Sequence, residues 1–131
     1  METLKVAVPL NQLHFEHSLW SNELSFYKDE LKLLNNYLEE IASKNTKHDV
    51  MVEVEQFQNR FIRQKEVLDT LLHDINEHEQ LVLHAFQNLN PIQATKSKFE
   101  DHAALRESID TFKKLYAELK LEFFKFLNRR M

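Results

Sequence analysis

Not one of the 131 residues is glycine, and that absence narrows the folds open to the chain more than any motif it carries. Glycine provides the positive-φ positions of tight hairpins, phosphate-cradling loops and nucleophile elbows. A chain without it is expected to turn rarely, so long helices joined by few connections are the natural reading. With 43% of residues apolar and 11% aromatic, a single continuous core over residues 1–131 is expected.

The apolar pattern agrees. From Leu13 the spacing alternates four and three through His17, Trp20, Leu24, Tyr27, Leu31, Leu34, Leu38 and Ile41, a heptad seam. The polar run Ser43-Lys44-Asn45-Thr46 interrupts it, with Thr46 as the expected N-cap of the next helix and Asp49 favourable to its dipole. A second seam follows through Val50, Val54, Phe57, Phe61, Gln64, Leu68, Leu71, Ile75, His78, Val82, Ala85 and Leu89. Asn90-Pro91 closes it, because the residue before proline avoids the helical region. Ser97-Lys98-Phe99-Glu100 matches a capping box. It opens a third seam through His102, Leu105, Ile109, Phe112, Tyr116, Leu119, Phe123 and Phe126.

The sequence therefore predicts an all-α, antiparallel bundle of three long heptad-patterned helices, over about 11–43, 47–89 and 98–129, with shallow crossings. At about 1.5 Å per residue the second helix would be roughly 65 Å long and the first roughly 50 Å. The overhang is expected to be covered by the first ten residues or by a second subunit.

Several function classes are excluded or disfavoured. There is no cysteine, which removes disulfides, thiolate metal sites and cysteine nucleophiles. A net charge of -4 argues against a nucleic-acid binder, which relies on a phosphate-neutralising basic surface. The one basic bias, from Lys113 to Arg130, is interleaved with Asp110, Glu118 and Glu122 and reads as a solvated helix face. The first ten residues lack the pattern of a signal peptide, and no run approaches the roughly 20 apolar residues of a membrane span, so the expectation is a cytoplasmic protein with no membrane partner. No serine has a triad-like setting, and carboxylate pairs such as Glu39 with Glu40 read as helix surface. The chain is expected not to be an enzyme.

Two features point to sites. Each seam carries a histidine: His17, His78 and His102. Folding about the turn near residues 45 and 46 sets Leu13 opposite His78 and His17 opposite Asp74, and the second connection places His102 near Val82 or Ala85. His14 lies one turn from His17, and Glu16, Asp74, Glu77 and Glu79 are in the neighbourhood. The first reading is of interior histidines that donate to carboxylates or carbonyls and fix register, with no cofactor. The alternative is a His and carboxylate site near one end of the bundle, with a divalent transition metal held by His17, His78 and His102 and the set completed by His14 or a nearby carboxylate, since bundle cores bring ligands together from facing helices. The chain has no Glu-x-x-His, His-Glu-x-x-His or His-x-x-x-His, and in His73-x-x-x-Glu77 the histidine sits on an outward position.

The second feature is a stripe of Leu19, Phe26 and Leu33 recurring every seven residues, about 100° from the Leu24 and Leu31 column. Glu16, Glu23 and Glu30 lie between the two, and they are expected at a boundary because their burial would be costly. Such a stripe marks either a wide internal face or an association surface. The expectation is a non-enzymatic interaction or scaffold protein whose partner is another protein, with a homodimer formed through Leu19, Phe26 and Leu33.

Overall fold

A computed structural model describes the backbone of residues 2–88 and 91–130, and the side chains of 11–84, 87 and 101–130. Three helices follow in order: α1 (Glu2–Lys44), α2 (His48–Asn88) and α3 (Pro91–Arg130). They pack as a three-helix bundle. No strand occurs among the described residues, and no helix among them is long and apolar enough to cross a membrane.

The three seams are the core. Leu13, Trp20, Leu24, Leu31, Leu34, Leu38 and Ile41 of α1 are buried, and on α2 the seam is buried from Val50 to Val82 apart from a half-buried Gln64. On α3, His102, Ile109, Phe112, Tyr116, Leu119, Phe123 and Phe126 are buried, with Leu105 half-buried. Ala85, Leu89 and the side chains of the Ser97–Glu100 box lie outside the described residues.

Three boundaries differ from those read in the sequence. The first helix begins at Glu2 rather than near 11 and runs through Pro9. The missing proline N–H removes one backbone bond from a helix of 43 residues, which does not end it. The first ten residues therefore extend α1 and do not lie along an overhang; at 43 and 41 residues α1 and α2 are nearly equal. The third helix begins at Pro91, not at 98. Proline's fixed φ and absent N–H suit the first helical position, where no donor is needed. Finally, the Met51 amide donates to the Lys47 carbonyl at 3.0 Å, so Lys47 and not Thr46 holds the N-cap position of α2. Asp49 falls in the first turn, as expected.

The chain divides into two compact units, each drawing a stretch from all three helices: Met1–Leu24 with Thr70–Asp110, and Ser25–Asp69 with Thr111–Met131. In the second unit, Phe57 packs on Phe126 at 4.9 Å and Phe61 on Phe123 at 5.0 Å between ring centroids, an antiparallel pairing of α2 and α3. Tyr27 meets Phe112 at 6.1 Å, and three residues on Glu30 accepts from the Tyr116 hydroxyl at 2.7 Å and Lys120 at 2.9 Å. Those rising numbers make α1 and α3 parallel there, each antiparallel to α2. Burial and the Glu30 carboxylate together push the Tyr116 hydroxyl far above its ordinary value, so it serves as a fixed donor.

Candidate metal centre

The first unit has a polar centre. His17, His78 and His102 occupy seam positions of α1, α2 and α3, so each ring is turned inward by the same periodicity that buries the leucines. They are 2%, 6% and 1% exposed, and one ring nitrogen from each lies within 4.8 Å of those of the other two. The ring centroids stand 4.9 Å (His17–His78), 5.2 Å (His17–His102) and 5.5 Å (His78–His102) apart. Trp20 stacks on His102 at 4.7 Å and forms an aromatic wall.

The pairing is offset by about one helical turn from the register read in the sequence. His17 Nε2 is 2.8 Å from His78 Nδ1, where Asp74 was expected, and His102 stands beside His78 rather than near Val82 or Ala85. Helical side chains lean towards their own N-terminus by about one residue. On the antiparallel α1 and α2 the two leans are opposed, so the side chains that meet lie further along both helices than the backbone positions facing each other. His102 shifts the other way, because α3 starts at Pro91 and not at 98, which moves the second turn back along the chain.

Carboxylates complete the centre. Glu16, half-buried on α1, accepts from His102 Nε2 at 3.2 Å and from Arg106 at 2.6 and 3.2 Å. Burial by itself would raise the Glu16 carboxyl, but Arg106 and His102 outweigh it and hold it below the usual carboxylate range. Glu79 places Oε1 3.3 Å from His17 Nδ1, an ion-pair distance with poor hydrogen-bond alignment. Its Oε2 accepts from His14 Nδ1 at 2.7 Å. His14 itself is exposed and reaches Glu79 rather than the cluster, so the structure does not bring His14, one of the two kinds of fourth ligand expected, to the other three. Arg106, one turn beyond His102, was missed in the sequence reading, and nothing in the spacing points to it.

Buried polar atoms without hydrogen bonds include His102 Nδ1, His17 Nδ1 and Glu79 Oε1. Because Glu16 takes the Nε2 proton of His102, the Nδ1 of that ring carries a lone pair with no donor to meet it. A tetrahedral zinc ion at 2.0–2.1 Å from each imidazole requires ligand nitrogens about 3.3 Å apart. His17 Nε2 and His78 Nδ1 stand 2.8 Å apart, and one nitrogen from each of the three rings lies within 4.8 Å of the others, so small ring rotations suffice to reach that spacing. No family model matches the chain, and no characterised protein or solved structure is similar to it.

The remaining sequence-predicted residues are elsewhere. His73, Asp74 and Glu77 form a surface group in which His73 is 3.3 Å from Glu77; its histidine is exposed, as its outward position implied. Leu19 in the first unit is 44% exposed, and Phe26 and Leu33 in the second are 60% and 52% exposed. The stripe is thus an outer face. Glu16, Glu23 and Glu30 are half-buried beside it, with Glu16 and Glu30 each held by a cation.

Burial pushes both His17 and His102 below the ordinary histidine range, with Glu79 and Glu16 offsetting only part of the effect. The unfolded chain, with histidine near 6.5, then takes up protons before the folded one. The metal-free protein is expected to keep this contribution above about pH 7 and to lose it as pH falls through about 6.5 towards the depressed folded values. Urea midpoints measured from pH 8 to pH 5 test this; a midpoint that rises on acidification overturns it.

Proposed function

We propose that the chain binds a divalent transition metal through His17, His78 and His102. The reading rests on one observation: three buried imidazoles, one from each helix, present nitrogens within 4.8 Å of one another. Imidazole ligation suits zinc, copper, iron or nickel, and the depressed proton affinities of His17 and His102 keep lone pairs available at neutral pH. The test is a zinc titration of the metal-free chain. One equivalent is expected to bind, with affinity lost in both His17→Ala and His78→Ala. Binding that is unaltered by these substitutions, or absent, sinks the reading.

A second reading, self-association through the outer face of α1, is favoured by the exposure of Leu19, Phe26 and Leu33 at seven-residue intervals. It expects a dimer in the wild type and a helical monomer in Phe26→Lys. A wild-type chain that sediments as a monomer at high micromolar concentration removes it.

A further inference from the structure

Three histidines leave a four-coordinate ion one ligand short. Two carboxylates and one further histidine lie near enough to be considered; Glu16 and His14 are engaged elsewhere, and Glu79 lies on the far side of the His17 ring. Glu16 bonds to His102 Nε2 and, through both oxygens, to Arg106. It sits across the imidazole ring from Nδ1, the atom left for a metal, so it cannot reach an ion bound there. Glu79 faces Nδ1 of His17 at 3.3 Å, across the ring from the Nε2 that meets His78. Its other oxygen is bonded to His14, which is exposed. Glu16 therefore stands where an orienting partner of a metal-bound histidine stands, fixing which nitrogen of His102 carries the proton, and Glu79 stands on the corresponding side of His17 at ion-pair distance.

The centre also has a way in. An open groove of about 340 Å³ runs beside it, with His78, Leu81 and Leu105 among its lining and Asp74, Glu77 and Asp101 around it. Its negative rim attracts cations and disfavours anions. A ligand that enters by this route to sit on a bound metal is therefore small and neutral, with water first and a nitrogen base of imidazole size next.

Resting on the metal reading above, we infer that the bound ion keeps one exchangeable coordination position, open to a small neutral donor through the groove beside His78. Glu16 and Glu79 orient the histidines and stay off the metal. This is the arrangement of sites that act on bound molecules, in contrast to closed structural sites with four protein ligands.

The 131-residue chain loaded with one equivalent of cobalt(II) and titrated with imidazole tests the inference. The visible absorption bands are expected to change saturably at one imidazole per cobalt while the metal stays bound through dialysis. Glu79→Gln is expected to give the same imidazole response with cobalt affinity weakened about 10- to 100-fold, the usual effect of losing an orienting partner. Bands that ignore imidazole in the wild type overturn the inference. If a response then appears in Glu79→Gln, Glu79 is the fourth ligand. A chain that binds no cobalt at all overturns the metal reading itself, a result seen before any imidazole is added.

Discussion

Replacing Phe123 by alanine is expected to cost about 3 to 5 kcal/mol of folding free energy, the range for deleting a fully buried aromatic side chain. Phe123 is fully buried on α3. Its ring lies 5.3 Å from Phe57, 5.0 Å from Phe61 and 6.1 Å from Phe126, so one truncation removes aromatic contacts to both α2 and its own helix. Edge-to-face geometry at Phe57 and Phe61 adds to the area effect by about 0.5 to 1.5 kcal/mol per pair. Phe124, the next residue, is 42% exposed, and Phe124→Ala is the matched control, expected within about 0.5 kcal/mol of wild type. Urea midpoints for the two variants decide the matter. A loss below about 1 kcal/mol in Phe123→Ala means the cluster is not packed as described.

That contrast between neighbours shows why so much of the fold was legible. Burial on a helix follows a period that sequence displays directly, so Phe123 inside and Phe124 outside are read from spacing alone. The same holds for Leu24 against Phe26 on α1. What spacing does not carry is where a periodic segment begins. Pro91 was read as the end of the second helix, and α2 does stop before it, but the third helix starts there rather than at 98, and α1 starts well before 11 and runs through Pro9. A proline stops a helix only where its lost bond or its ring is not accommodated. At Pro91 it opens one instead, while the Ser97-Glu100 box resembles a start yet falls inside α3.

The site was legible in a different measure. Seam positions alone brought His17, His78 and His102 towards one another, because three inward-facing residues on three packed helices near the same level must converge. Glu16 and Glu79 were recognised as neighbours for the same reason. Individual partners were not recoverable. Contacts between antiparallel helices depend on the opposed lean of side chains, which shifted His17 from Asp74 to His78. Nor does the pattern separate His14, one residue off the inward row for its level, from a true member of the cluster; only the geometry places it against Glu79. Arg106 acts through Glu16, and a charged residue on an outer face gives no sign in sequence of the carboxylate it holds.

Zinc at a hundredfold excess over its Kd is expected to stabilise the chain by about 2.7 kcal/mol, since an ion that binds only the folded state contributes RT ln(1 + [L]/Kd). For a chain of this size that corresponds to a rise in Tm of roughly 10 °C. His17→Ala and His78→Ala are both expected to abolish the rise, because each removes one of three ligands from different helices. His73→Ala separates the buried centre from the surface group of His73, Asp74 and Glu77: it is expected to retain the full zinc response. His78→Leu adds a second measurement. Without metal it leaves His17 Nε2 buried and deprived of its 2.8 Å partner, a loss of about 1 to 3 kcal/mol, and zinc is expected to restore none of it. If zinc leaves the wild-type Tm unmoved, or if His73→Ala is the variant that loses the response, the three histidines are a structural network: a polar layer that sets the register of three helices and carries no ion.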